Sequence, residues 1–304
     1  MQINDNRTRF LYISWRCGSM RAAADELDVA PSSVSRQISV LESELGTELI
    51  EHGRRDIRLT EAGERVIEYY REIESIRERL RDDLSDLAGN TTGHVRIGIG
   101  EGFLGEALFR SFDDLGEAFP GIAMSVRITD TVEMLRMIGD DDLHFGMAFH
   151  PTNEPRIASR FSARVPLCVI MPADHPLARH KQLTLAQLNG QALALLDNRF
   201  RMRQLIDLAA IESGAHMNCA LETNSIALLI EWVRSGRALT ILPQFSVRND
   251  IGAGSMVAVP LSESVLQSLY VHLITRAGRS FSKPTQLLMN SLRKRLGAVA
   301  QMEG

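Results

Sequence analysis

The chain has 304 residues, 44% apolar and 24% charged. That is the composition of a globular protein of about two domains and excludes a collagen-like or disordered chain. The net charge of −4 divides into −5 over residues 1–90 (13 basic, 18 acidic) and +1 over 91–304 (21 and 20), so only local clustering bears on contact with phosphate.

No apolar run approaches the ~18 residues of a membrane span. The polar, already patterned stretch from Met1 to Arg16 is unlike a signal peptide. Three scattered cysteines, Cys17, Cys168 and Cys219, suit a reducing cytoplasm and argue against a disulfide scaffold or zinc ribbon.

Residues 5–46 read as short helices. The first carries Phe10, Leu11 and Trp15 and stops at Gly18, and Ser19 stands where an N-cap belongs. The second has Ala23 and Leu27 on one face. Asp28-Val29-Ala30 is a tight turn, and Pro31 opens a third helix that ends at Gly46. In it Val34, Ile38, Leu41 and Leu45 form one apolar stripe. The stretch 47–60 looks extended, and His52-Gly53-Arg54-Arg55-Asp56-Ile57-Arg58 suits a two-stranded wing. Thr60 caps a long helix, with Glu61 and Glu64 at its positive end. Its apolar positions are Val66, Tyr69, Ile73, Ile76, Leu80 and Leu87, with Leu84 taking the place of Asp83. So long a helix buries little against its own chain, which predicts a partner helix over the stripe.

After the polar break Asn90-Thr91-Thr92-Gly93, strands alternate with helices. Strands are predicted at His94–Ile99, Ile122–Thr129, Phe145–Phe149, Leu167–Met171 and Ala238–Leu242, and helices at Phe103–Phe119, Val132–Ile138 and Ser225–Ser235. This predicts an α/β region of two small lobes with parallel sheets.

Two short helices around a three-residue turn fit a helix-turn-helix. With the stripe of the third helix inward, its outer face shows Ser32, Ser35, Arg36, Ser39 and Ser43, flanked by Ser33 and Gln37. Small hydroxyls let a helix approach the major groove. Arg36 can reach guanine edges or a phosphate, and Gln37 can pair with adenine. Arg54, Arg55 and Arg58 would contact backbone phosphates. The plainer alternative is a solvated polar face on an ordinary helical subdomain.

These blocks also carry a resemblance. Gly18-Ser19-Met20, Ala22-Ala23-Ala24, Pro31-Ser32-Ser33-Val34-Ser35-Arg36-Gln37-Ile38, Leu41-Glu42, Leu45-Gly46 and Leu59-Thr60-Glu61-Ala62-Gly63 resemble the N-terminal module of LysR-type transcriptional regulators. Val95-Arg96-Ile97-Gly98, Phe119-Pro120, the segment Met171 to Leu177 and the segment Gly236 to Pro243 are similar to that family's effector domain. The resemblance implies an α/β protein with a winged helix-turn-helix (1–60), a dimerising linker helix (61–89) and a two-lobed domain like periplasmic binding proteins (93–304). Lobe I would be 93–162 with 266–300, and lobe II 163–265. It further implies a small effector between the lobes, and a tetramer that bends its double-stranded promoter site. Ser39 and Val40 stand where such proteins often carry a basic residue, and His52 where an arginine is frequent, which implies fewer phosphate contacts. His144 stands where an aspartate is common.

Gly100-Glu101-Gly102-Phe103-Leu104-Gly105 matches a dinucleotide fingerprint, with Asp130 near the end of the next strand. This keeps open an NAD(H)-binding redox sensor or dehydrogenase. Against it, Glu101 would set a negative charge beside a pyrophosphate, and no catalytic histidine with an acidic partner is apparent. The same helix start also suits a milder anion site. We therefore expect Gly100, Glu101, Gly102 and Phe103 to line an effector pocket with Thr223, Asn224 and Ser225, and Thr129, Asp130 and Phe149 nearby. Thr223 to Ser225 serving only as a helix cap is the equal alternative, and Glu101 could instead favour an amine-bearing ligand. No zinc spacing, Walker motif or nucleophile elbow occurs, and Asp140-Asp141-Asp142 reads as a solvated loop. The sequence therefore points to a cytoplasmic, oligomeric, DNA-binding regulator that is not an enzyme and carries no cofactor or metal. A small-molecule binding protein with an unrelated helical N-terminus is the remaining alternative.

Overall fold

A computed structural model describes residues 3–51, 56–87, 92–151 and 153–302. The chain divides into two compact units, Met1–Arg81 with Gly278–Ser280, and Asp82–Ala277 with Phe281–Gly304.

The first unit is built on α1 (Asp5–Arg16), α2 (Met20–Leu27), α3 (Pro31–Leu45) and the first part of α4 (Glu61–Leu87). Each start has a local cause. Asn4 Oδ1 accepts from the backbone of Asn6 and Arg7, and Ser19 Oγ from Ala22 N. Pro31 occupies the first turn of α3. The turn between α2 and α3 is made by Asp28, which ends α2 at φ 53°; aspartate tolerates this left-handed region better than most residues. Leu11, Ala23, Val34, Ile38, Leu41 and Leu49 form the dry centre of this unit.

The extended stretch after α3 begins as predicted. Ile50 and Leu59 form an antiparallel bridge, and Glu51 N donates to Arg58 O at 2.9 Å. Residues 52–55, including Arg54 and Arg55, lie outside the described residues. Thr60 Oγ1 accepts from Gly63 N at the start of α4 and donates to Glu48 O. A Cβ on Gly63 would lie 2.1 Å from the Leu49 carbonyl oxygen, so only glycine lets α4 pass this close to the backbone after α3.

The expectation that α4 buries little on its own chain needs correction for its N-terminal part. Ile67 and Tyr70 are buried in the core of the first unit, and the Tyr70 ring lies 4.9 Å from that of Tyr12. The Arg71 guanidinium sits over the Trp15 ring at 4.8 Å. Farther along, the predicted stripe is open: Ile76, Leu80, Leu84 and Leu87 are 49, 54, 56 and 83% exposed.

The second unit runs β1 (Gly93–Ile99), α5 (Glu106–Ala118), β2 (Ile122–Ile128), α6 (Thr131–Gly139), β3 (Phe145–Phe149), β4 (Ile157–Arg164), β5 (Leu167–Pro172), β6 (Ala192–Leu196), α7 (Arg201–Ser213) and β7 (Asn218–Thr223). It continues through α8 (Ile226–Arg234), β8 (Thr240–Pro243), α9 (Arg248–Gly252), β9 (Met256–Pro260), α10 (Ser264–Gln267), β10 (Tyr270–Arg276) and α11 (Lys283–Met302). One sheet has the order β2-β1-β3-β10-β4; a second has β8-β5-β9, and β6 pairs with β7.

Parallel sheets were expected, but only part of the pairing is parallel. β1 runs parallel to β2 and β3, and β6 to β7. β10 is antiparallel to β3 and β4, and β5 to β8 and β9. The cause in the first sheet is the chain path: it leaves after β4, builds the second lobe, and returns as β10 at the same end, so that Tyr270 pairs with Arg164. The unit has three apolar cores. One surrounds Val95, Ile97, Phe145 and Leu273, a second surrounds Leu167 to Met171, Leu193 to Leu196 and Leu229, and a third joins Met134, Leu135 and Ile138 of α6 to Leu143, Ala148 and Ile274. The predicted helix Phe103–Phe119 is shorter than expected. A 3₁₀ turn covers Glu101–Phe103, and α5 starts after Gly105.

Candidate functional site

α3 sorts its residues by helical period. Val34 and Leu41 are fully buried and Ile38 is 2% exposed. Ser32, Ser33, Ser35, Arg36 and Ser39 are all exposed, and Gln37 is half-buried. Gln37 Oε1 accepts from Arg7 Nε at 3.3 Å, and Arg7 also pairs with Glu44. The Gln37 carboxamide is thus tethered to α1, with its nitrogen still available as a donor. Arg58 is exposed at the base of the wing. The structure therefore gathers hydroxyls and the Arg36 guanidinium on one open helix face.

In the second unit, Gly100, Glu101, Gly102, Phe103, Thr129, Asp130 and Phe149 line a cavity of about 50 Å³. Sequence reasoning missed the opposite wall, made by Leu196, Phe200, Arg201 and Met202 at the end of β6 and start of α7, with Ile226, Pro243, Phe245 and Ser246. The available signal was the apolar run Ala192 to Leu196 followed by Asp197-Asn198, a strand running into a turn. Phe103 and Phe245 stack across the junction of the lobes, with ring centroids 5.6 Å apart.

The segment Thr223-Asn224-Ser225 is brought to the cleft through one carboxylate. Glu101 Oε1 accepts from Ser225 Oγ at 3.0 Å and from Ala227 N at 3.2 Å, and Oε2 from Ile226 N at 2.8 Å. The positive start of α8 is thus filled by a glutamate from the other lobe. Ser225 Oγ also caps α8 by accepting from Leu228 N, and Thr223 Oγ1 accepts from Ser225 N. The helix-cap reading is realised for this segment, and neither Thr223 nor Ser225 lines the cavity of about 50 Å³. Asn224 lies at the mouth beside Asp130, Arg199 and Phe200. Asp130 Oδ1 caps α6 by accepting from Glu133 N at 3.0 Å.

The glycine fingerprint does not build a dinucleotide loop. β1 passes into the 3₁₀ turn, and the Glu101 charge is committed to α8. A pyrophosphate needs that approach free of negative charge.

Behind the cleft, His150 follows β3 at φ 40°. Burial first, and then the nearby Arg201 charge, hold its imidazole below the ordinary histidine value. His272 is lowered by burial and then by His150, and its Nδ1 lies 2.9 Å from Ser159 Oγ. A histidine lowered in the fold stabilises it fully above its unfolded value of about 6.5 and loses that contribution as pH falls toward the folded value. Thermal unfolding from about pH 7 to pH 5 is therefore expected to show a falling Tm. A His150→Asn, His272→Asn variant should lose less over that range; an equal loss in both proteins would rule these histidines out as its source.

A helix-turn-helix unit with an open hydroxyl-and-arginine face, followed in the chain by a two-lobed α/β unit with a cleft, defines a ligand-responsive DNA-binding regulator. Family comparison agrees in both parts. Residues 6–64 match the bacterial regulatory helix-turn-helix protein, lysR family, and residues 88–297 match the LysR substrate binding domain. The chain belongs to the LysR family of transcriptional regulators, and the comparisons lend the dehydrogenase alternative no support.

It is 27% identical over 282 residues to the HTH-type transcriptional activator CmpR of Synechocystis sp., covering 91% of this chain and 90% of that protein. It is 25% identical to the RuBisCO operon transcriptional regulator of Allochromatium vinosum, covering 93% of each. Among solved structures, full-length OxyR from Pseudomonas aeruginosa superposes with a TM-score of 0.65 at 21% identity, over 99% of this chain and 97% of that one. Full-length BenM gives 0.57 at 20% identity over 97% of each. These structural likenesses bear on the fold. Among the described residues, no helix is long and apolar enough to cross a membrane.

Proposed function

We propose that this chain is a cytoplasmic regulator that reads promoter DNA with α3 and is switched by a small molecule held between its two lobes. The supporting observation is the division of α3, with Val34 and Ile38 inside and Ser32 and Arg36 outside. In this reading Ser32, Ser33, Ser35, Arg36, Gln37 and Ser39 approach base edges, and Arg54, Arg55 and Arg58 hold phosphates. The cleft residues Gly100 to Phe103, Thr129, Asp130, Phe149 and Thr223 to Ser225 receive the effector. The open stripe of α4 pairs two copies, so that two recognition helices meet half-sites about one DNA turn, ~10 bp, or a multiple apart. Two such dimers make a tetramer. An effector that binds one arrangement of the lobes better than another shifts the population between them and changes the spacing of the recognition helices.

The test is fluorescence anisotropy on the DNA upstream of the chain's own gene, between 50 and 200 mM salt. Specific binding is expected about 10³-fold or more tighter than binding to random-sequence DNA, with log K falling linearly in log salt. Equal affinity for both DNAs would overturn the reading.

A further inference from the structure

We propose that the cleft takes a small apolar monocarboxylate, its acid group held by Arg201 at the start of α7 and its body among the rings of Phe103, Phe149, Phe200 and Phe245. The inference rests on the reading of the cleft as the effector site and adds the chemical class of the ligand.

The argument is one of charge already used and charge left over. The cavity wall carries three ionisable side chains: Glu101, Asp130 and Arg201. Both oxygens of Glu101 are engaged by the α8 start, with three donors between 2.8 and 3.2 Å. Asp130 is engaged by the α6 start. Glu101 could not neutralise a ligand cation without giving up the α8 cap, and Asp130, with Oδ1 on the α6 start, lies beside Arg199 at the mouth, which disfavours an amine-bearing ligand. Arg201 is the opposite case. Its Nη1 donates to Gln204 Oε1 at 3.2 Å and its Nε is buried without a hydrogen-bond partner among the described residues. A buried donor on a charged group left unpaired costs free energy, and a bound carboxylate would remove that cost.

Two further groups point the same way. No side chain caps the first turn of α7 and no acidic residue lies in it, so its backbone N–H groups and dipole add to the Arg201 charge. Ser246 Oγ, on the same wall, is also buried without a partner and can donate. Apart from the Thr129 and Thr131 hydroxyls, the rest of the lining is glycine, aliphatic or aromatic, which gives an apolar body its contacts and offers no second cation. A diacid would therefore set its second carboxylate against phenyl rings or Glu101. The cavity of about 50 Å³ holds only a few waters as it stands. A ligand of six to ten heavy atoms thus needs the lobes to part, and breaking the Glu101 contacts to α8 is the step that would let them.

The experiment is thermal unfolding of the full-length chain with hexanoate and phenylacetate, against hexanamide, phenylacetamide and the diacid adipate, all at the same millimolar concentration. The monocarboxylates are expected to raise Tm by about 2 °C or more, and the amides and adipate to leave it unchanged. Arg201→Met should weaken monocarboxylate binding at least tenfold by titration, and Arg201→Lys should recover part of it; a single cooperative melt for each shows that it is folded. A Gly102→Trp variant, whose side chain would enter between Ile226 and Ser246, blocks the cleft. Loss of the shift in Gly102→Trp but not in Arg201→Met would overturn the role of Arg201 while leaving the cleft as the effector site. Persistence of the shift in both would overturn the cleft itself. Equal shifts from acids and amides, or none from any acid, would overturn the proposed class.

Discussion

A Leu80→Glu, Leu84→Glu double variant is expected to sediment as a monomer and to bind operator DNA about 10²–10⁴-fold more weakly than the parent. The two leucines are 54 and 56% exposed on the open part of α4, in line with Ile76 and Leu87. Replacing exposed side chains should cost the fold no more than about 0.5 kcal/mol. The loss in binding arises elsewhere. Once one recognition helix is docked, its tethered partner binds intramolecularly at high effective concentration, and that advantage disappears in a monomer. Glutamates facing each other across a helix pair add repulsion. Sedimentation velocity and anisotropy on the same samples check both parts. A variant that remains dimeric would show that the stripe is not the seam.

Arg36→Ala should weaken operator binding by about 1–3 kcal/mol, roughly 10–100-fold, and relax discrimination at the base pair that it reads. The exposed guanidinium stands on the same face as Ser32, Ser35 and Ser39, so its removal leaves the core beneath untouched. Arg58→Ala is a useful contrast. As a phosphate contact at the wing, it should weaken binding evenly across sequences and lower the salt slope by about one. Competition binding with single-base operator variants distinguishes the two. If Arg36→Ala weakens all sequences alike, Arg36 holds backbone and another residue reads the bases.

The first unit was largely legible because its cues are local. Ser19, Asp28, Pro31 and Gly46 each act within a few residues, and a helix buries one face of a short repeat. Burial of Ile67 and Tyr70 was not legible, because it depends on where α1 brings Tyr12 and Trp15. In the second unit the apolar strands β1, β3 and β5 were read close to their observed limits. β4, β6, α7, β7, β9, β10 and α11 were not anticipated. β4 and β7 are mostly open to solvent and lack the alternation that marks a half-buried strand. The cleft wall formed by Leu196, Phe200, Arg201 and Met202 was missed with them.

The sequence by itself determined which side of α3 faces inward and where an unpartnered stripe runs along α4, since the helical period maps residue order directly onto faces. It also determined that Gly100 to Phe103 and Thr129 to Asp130 stand at strand ends, where such folds place ligands. Only the tertiary structure decided that Glu101 fills the start of α8, 124 residues farther along the chain, and that Arg201 Nε is buried without a hydrogen-bond partner among the described residues. Those outcomes depend on which charges two lobes bring within about 3 Å of each other, and no spacing along a chain encodes a distance across a cleft.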